Sequence, residues 1–360
     1  MGTTSQSTRV LILGTGVLAR ELLEVMTRRS ECGLVPVGLL EESGQTEAIG
    51  KGCPVLGRIE TIRSAILEAR PDRIVVALAT KNGLGDCHGL LEETLFRGIE
   101  VQDGEQLYER LTGQLSLETL SSHSLLFPEA FRKSSLHDGV ARSLSLVLAS
   151  IGLLVLAPLM LILPLLIRLD SPGPALFRQV RMGAGCQPFT LLKYRTMREE
   201  VEVKSVWAAD NAERITRVGK WLRKYRLDEL PQFINVLRGD MNIVGPRPHP
   251  ASNYEMYVLV SRNTALCGEA IPYYSLRSMV RPGITGWAQV KYHYANNLEE
   301  EMEKLRFDLY YVKYRSFWLD MRILLETVQV VLKGSGQEAG RDSEIGVLST
   351  GKANRYRQVK

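Results

Sequence analysis

The apolar positions of this chain fall into three regimes. From Arg9 to about Leu115, short apolar runs alternate with helical spacing. Val10-Leu11-Ile12-Leu13 reads as a buried strand, and Gly14-Thr15-Gly16-Val17-Leu18-Ala19 opens a helix through Met26. Further strands are expected over Val35–Leu40, Arg73–Leu78 and around Ile99-Glu100-Val101. Strands alternating with helices predict an α/β domain over residues 1–115, a Rossmann-like parallel sheet. Its glycine loop, Gly14 and Gly16 with an acidic residue later at Glu41, would suit a nucleotide. Ala19 stands where a third glycine is usual. A domain of this shape that binds nothing, or serves regulation or assembly, is the alternative.

The second regime is continuous. Ser143 to Ile167 carries no charged residue and is mostly Leu, Val, Ile and Ala, long enough to cross about 30 Å of hydrocarbon. Pro158 and Pro164 interrupt it, and an interior proline kinks or breaks a helix. Both flanks are basic: Arg132, Lys133 and Arg142 before, Arg168, Arg178 and Arg181 after. A span would put one cluster outside, against the positive-inside tendency. Residues 142–169 are therefore expected to form a re-entrant helix–break–helix that returns to the cytoplasmic face. Residues 116–141 read as a linker along the membrane surface.

In the third regime, residues 170–335, basic and aromatic segments are punctuated by Pro and Gly. Phe189–Met197 alternates like a strand, which puts Lys193 and Arg195 on one face, as a phosphate contact or as a solvated edge. Ala212–Leu227 reads as a basic amphipathic helix, and Asp308–Leu332 as one aromatic-rich helix suited to a bilayer interface. The mainly helical character of this region contrasts with the first. Residues 336–360 are polar and read as a disordered tail.

Composition narrows this little. A net charge of +5 fits anionic substrates or anionic lipid, and no basic-aromatic module points to nucleic acid. Five scattered cysteines, with no CxxC pair, support neither zinc nor a disulfide framework and fit a reducing cytoplasm. The polar N-terminus does not read as a signal peptide.

The chemistry concentrates at Asp228-Glu229. Arg217, Lys220, Arg223, Lys224 and Arg226 precede the pair, and Arg238 and Arg247 follow. Cations hold an anion such as a diphosphate, while a carboxylate attacks phosphorus or holds a metal. Leu230, Phe233, Ile234 and Leu237 predict a helix ending at Gly239, with Asp228 near its N-cap and Pro231 in its first turn. Adjacent helical side chains diverge by about 100°, so one carboxylate can face phosphorus while the other reaches a metal. A plain capping Asp with a first-turn Glu is the bland alternative.

Four ordered motifs carry a resemblance. They are Lys193-Tyr194-Arg195-Thr196-Met197, Leu227-Asp228-Glu229-Leu230-Pro231-Gln232, Gly239-Asp240-Met241 running to Gly245-Pro246-Arg247-Pro248, and Arg281-Pro282-Gly283-Ile284-Thr285-Gly286-Trp287. Together they closely resemble the bacterial sugar transferase family, the monotopic polyprenol-phosphate phosphoglycosyl transferases, over about Arg142–Gly334. Ile271-Pro272-Tyr273-Tyr274-Ser275-Leu276-Arg277 looks like the branch linked to exopolysaccharide and exosortase gene clusters, as does the Rossmann-like domain.

The resemblance implies a reaction at the bacterial inner membrane, with the catalytic domain on its cytoplasmic face. Sugar-1-phosphate passes from a UDP-sugar to undecaprenyl phosphate, and UMP leaves. It implies Asp228 as the nucleophile that forms a covalent intermediate. Glu229 is implied as its partner, the pair serving Mg2+. Arg223, Arg247 and Arg281 are implied as cations near the phosphates, with Asp320 and Asp308 as further acidic candidates. A homo-oligomer is compatible with the sequence. The chain departs from the family pattern at Ala157-Pro158, where Ser-Pro is common, at Ser145, where Asp is common, and at Lys291-Tyr292-His293. The rival readings are a membrane-anchored nucleotide-sensing scaffold without catalysis, and a glycosyl transferase that releases UDP.

Overall fold

The computed structural model describes residues 7–42, 53–78, 94, 98–117, 135–198, 213–252, 273–292 and 298–333. The 118–134 part of the expected linker and the expected tail lie outside these residues. The chain divides into two compact units, Met1–Ala130 and Phe131–Lys360.

In the first unit, β1 (Thr8–Leu13) is followed by α1 (Val17–Arg28), β2 (Leu34–Glu41), β3 (Val55–Arg58), α2 (Ile62–Ala69), β4 (Arg73–Val76), β5 (Glu100–Asp103) and α3 (Gly104–Thr112). The sheet order is β3-β2-β1-β4-β5, with every pairing parallel. Val10, Leu11, Ile12 and Leu13 are fully buried because a parallel sheet is covered on both faces. Val10 and Ile12 pack against α1 and α3, while Leu11 and Leu13 pack against α2. The edge strand β3 is an addition to the expected elements. Its short Val-Leu-Gly-Arg run carries too few apolar residues to announce a strand.

In the second unit, α4 (Ser135–Asp170) leads to a hairpin of β6 (Leu176–Met182) and β7 (Pro188–Tyr194). Next come α5 (Arg217–Lys224), a 3-10 turn (Leu227–Glu229) and α6 (Gln232–Arg238). β8 (Asn242–Val244) pairs in parallel with β9 (Gly283–Thr285), which follows a 3-10 turn at Tyr274–Met279. α7 (Trp287–Lys291), α8 (Leu298–Tyr314) and α9 (Phe317–Leu332) complete the unit.

The expected single helix over Asp308–Leu332 is two helices. Arg315-Ser316 separates them, and the Ser316 hydroxyl caps α9 by accepting from Leu319 N at 3.3 Å. The basic helix is also shorter than expected, because Thr216 caps it through Gly219 N at 3.0 Å.

The expected break at Pro158 is corrected: α4 runs through Pro158 and Pro164 as one helix. A proline removes the hydrogen bond to the carbonyl four residues earlier. For Pro164 that carbonyl is Met160, and the buried Tyr194 hydroxyl donates to it at 3.0 Å. Packing holds the rest. Leu156, Leu159, Met160, Leu163 and Ile167 join a cluster with Leu222, Leu230 and Phe233, and Gly152 lies against the Phe233 ring. The opposite face stays bare, with Leu154 and Leu161 each 79% exposed and Leu165 60% exposed. By length and composition α4 is able to cross a membrane.

Both ends of α4 bind the same unit. Arg142 donates to Val236 O at 2.7 Å and Met241 O at 2.8 Å, and Ser145 Oγ accepts from Ile243 N at 3.1 Å. At the far end, Asp170 accepts from Val218 N at 2.9 Å.

Candidate active site

Asp228 and Glu229 sit together in the 3-10 turn, both buried. Asp228 is not the cap of α6, as the spacing predicts; Pro231 takes that position. The turn intervenes because Arg226 adopts a left-handed conformation (φ 53°), which reverses the chain before the dyad. Such backbone strain in a non-glycine residue persists only where the surroundings over-determine it. Gly239 does end α6 in the left-handed conformation, as expected.

Glu229 Oε1 lies 3.0 Å from Arg247 Nη2. Burial opposes its ionisation, but Arg247, Arg226 and Lys193 outweigh that and hold its carboxyl below the usual range. Asp228 goes the other way. Burial and the adjacent Glu229 charge raise its pKa to about 6, against the pull of Lys193, Arg223 and Arg247. The two carboxylates thus differ: Glu229 is an anion paired with Arg247, and Asp228 titrates near neutrality. Burial also lowers Lys193, to about 8, with Arg181 adding to the fall. Its ammonium lies 5.1 Å from the centre of the Phe177 ring.

The Arg247 loop owes its place to two glycine-bearing segments. Gly245 N donates to Thr285 O and Gly283 N donates to Pro246 O, both at 2.9 Å. A Cβ on Gly245 would come within 2.5 Å of Arg281 O, and one on Gly283 within 2.1 Å of Gly245 N. The backbones pass too closely for any side chain there. Behind the loop lies a buried polar network. Arg277 Nη2 donates to Arg247 O at 3.0 Å and to Asp308 Oδ2 at 2.5 Å. Its Nη1 lies 3.0 Å from the Tyr274 hydroxyl, which contacts His249, and His249 Nε2 is 3.2 Å from Glu301. Burial, with Arg277 nearby, keeps the His249 pKa well below the usual histidine value.

The residues singled out from the sequence separate into groups. Asp228, Glu229, Lys193, Arg223 and Arg247 interact around the dyad. Arg195 is engaged elsewhere: buried, it donates to Pro172 O at 2.7 Å and Ser171 O at 2.6 Å, which ties down the chain after α4. Asp308 belongs to the network behind Arg247. Asp320 accepts from Tyr311 at 2.9 Å beside a separate cavity, which Arg281 lines. Gly14 and Gly16 lie between β1 and α1, and Glu41 ends β2. A Cβ at Gly14 would come within 2.3 Å of Ala77 O, so backbone packing alone requires that glycine.

Sequence reasoning passed over Arg181, Arg277, His249 and Glu301. Arg181 reads in the chain as a membrane flank; in the fold it donates to Pro248 O at 2.7 Å and faces Arg247 and Glu229. Only tertiary pairing brings these residues together.

The dyad's donor set fits Mg2+. That ion is commonly held by one or two carboxylates plus phosphate oxygens and water. Among the described residues no group of three or more His, Cys, Asp or Glu side chains forms a cage, so Asp228 and Glu229 are the carboxylates that would hold the ion.

The family model described as bacterial sugar transferase matches residues 136–334. A UDP-N-acetylgalactosamine-undecaprenyl-phosphate N-acetylgalactosaminephosphotransferase from Aeromonas hydrophila is 37% identical over 270 residues, covering 74% of this chain and 60% of the relative. A UDP-glucose:undecaprenyl-phosphate glucose-1-phosphate transferase from Escherichia coli K12 is 37% identical over 260 residues, covering 65% of this chain and 53% of the relative. An undecaprenyl-phosphate glucose phosphotransferase from Komagataeibacter xylinus is 30% identical over 338 residues, covering 89% of this chain and 58% of the relative. The chain therefore spans little more than half the length of these relatives.

Proposed function

Because the chain belongs to the bacterial sugar transferase family, we propose that it transfers sugar-1-phosphate from a UDP-sugar to undecaprenyl phosphate and releases UMP. The observation that carries this reading is the buried Asp228-Glu229 pair beside Arg247, ringed by Lys193, Arg223 and Arg226. A scaffold or sensor has no need of a desolvated carboxylate with a raised pKa facing cations.

In the proposed reaction Asp228 attacks the phosphorus that bears the sugar. A bond forms from its carboxylate oxygen to that phosphorus, and the bridging bond to the UMP phosphate breaks. The phosphate oxygen of undecaprenyl phosphate then attacks the same phosphorus. The carboxylate is regenerated and the lipid diphosphosugar leaves. Arg247, fixed by Glu229 and by Arg277 behind it, holds the transferred phosphate and offsets charge on its oxygens. Lys193 and Arg223 complete the cationic wall. Mg2+, held by Glu229 and Asp228, would neutralise the diphosphate and the departing UMP.

The bare apolar face of α4 supports placement in the inner membrane on its cytoplasmic side. Arg142 and Asp170 stand on one unbroken helix, about 42 Å apart at about 1.5 Å per residue, more than the roughly 30 Å of a hydrocarbon core. Here Arg142 and Asp170, near its two ends, both bind the one unit. With no break in the helix, this favours α4 lying along the membrane surface beside the unit over a crossing, and it supports a dyad near headgroup level. The strand order of the first unit, with its reversal between β1 and β4, supports a Rossmann-like reading, and its glycine loop lies at the carboxyl ends of the strands.

The test is nucleotide release by the solubilised chain with Mg2+, undecaprenyl phosphate and a panel of UDP-sugars. The relatives' names carry different sugars, so the panel includes UDP-glucose and UDP-N-acetylgalactosamine. UMP release that Asp228→Asn abolishes is the expected result. Release of UDP, or full activity in Asp228→Asn, would overturn the mechanism.

A further inference from the structure

A second cavity, of about 210 Å3, opens in the second unit away from the dyad. The start of α4, β8, the segment Met279–Arg281 and the end of α8 enclose it. The dyad precedes the N-terminus of α6. Arg142, whose charge interacts with that of Arg281, binds Val236 O at the other end of that short helix. None of Asp228, Glu229, Lys193, Arg223 and Arg247 lines the cavity. The two places are distinct.

The cavity sets Arg281 and Arg315 against the carboxylate of Asp138, with buried Asp320 also acting on Arg315 and His137, and its guanidinium donors are incompletely satisfied. Arg315 lines it and is only 7% exposed. Its Nη2 lies 3.4 Å from Asp138 Oδ1, a half-exposed carboxylate. Its Nε and Nη1 have no hydrogen-bond partner among the described residues, nor has either ring nitrogen of His137, which also lines the cavity. Buried guanidinium donors without acceptors are costly, and a native fold retains them where something else accepts. Arg281, an exposed arginine, also lines the cavity. Tyr311 is already committed to Asp320 at 2.9 Å, so the two arginines and His137 supply the open donors.

We propose that this cavity binds a phosphate-bearing ligand, held between Arg281 and Arg315 and separate from the reacting diphosphate. Two planar guanidinium groups match the several oxygens of a tetrahedral anion better than they match a carboxylate. The volume leaves room for a substituent on the phosphate. Two sources share this chemistry. The cavity adjoins the polar start of the apolar helix, where a lipid headgroup would lie, and it is also open to a soluble phosphate.

The experiment measures thermal stabilisation of the solubilised full chain by inorganic phosphate and by soluble dihexanoylphosphatidylglycerol, with sodium chloride at matched ionic strength. An Arg247→Ala background weakens phosphate binding at the dyad, where Lys193 and Arg223 remain, and the Arg281 and Arg315 variants separate the cavity's response from what is left. In that background a saturable rise in Tm is expected. Arg281→Ala and Arg315→Lys should each weaken it by about tenfold or more, the scale of a lost charge-assisted hydrogen bond. Arg281 is exposed, so its variant does not put folding at risk. A response to inorganic phosphate identifies a soluble ligand, and a response to the lipid alone identifies a headgroup. No response to either, or one unchanged by both arginine variants, overturns the site. Nucleotide release plays no part in this readout, so failure here is distinct from failure of the proposed reaction.

Discussion

In the proposed reaction Asp228 must be ionised to attack phosphorus, yet its surroundings resist ionisation. Its pKa near 6 sets a pH limb: kcat/KM for UMP release should fall roughly tenfold per unit below about pH 6. A flat profile down to pH 5 would count against Asp228 as the nucleophile. The same shift bears on stability. Between about pH 4 and 6 the folded chain holds this proton more tightly than the unfolded chain, so ionisation removes stability as pH rises through that window. Asparagine carries no such charge. Asp228→Asn should therefore raise Tm at pH 7 by a few degrees, on the order of 1 kcal/mol, while abolishing turnover. A lower Tm would mean that the carboxylate is structural. That the dyad was chemically special was legible from adjacent carboxylates among cations. Their opposite shifts were not, because they depend on Arg247 lying 3.0 Å from Glu229 and on burial of the pair.

At the scale of elements, hydrophobic spacing located the main strands and the apolar helix, and it missed what side chains do at their ends. Pro158 and Pro164 read as a break. The helix instead continues, with the Met160 carbonyl satisfied by Tyr194, a residue from a strand 34 positions away. Tyr194→Phe should cost about 1–2 kcal/mol, measured by urea or thermal unfolding in detergent, because it leaves that carbonyl without its donor. Unchanged stability would show that the hydroxyl plays no part in carrying the helix past Pro164. The split at Arg315-Ser316 has a similar origin. Periodicity runs on through it, and a local serine cap ends the continuity. Ser145, which departs from the family pattern, has a defined task in accepting from Ile243 N.

At the scale of the molecule, the second unit binds one face of α4 and leaves the other bare along the helix. Cysteine labels at positions flanking Ser143 and Ile167 should react from the cytoplasmic side alone. Labelling of either end from the periplasm would establish a span and displace the surface-lying reading. The α/β character of the first unit, the apolar helix and the dyad were all legible in the order of residues. Each rests on local physics: period, length, or neighbouring charge. Tertiary structure alone decided which cations share a site. Lys193 and Arg247 converge on the dyad, Arg195 turns to Ser171 and Pro172, and Arg281 joins Arg315 at a second cavity. The physical reason is range. A cation's role follows from the nearest carboxylate or carbonyl in space, and the packing of β7, β8 and β9 determines that distance over separations no sequence window spans.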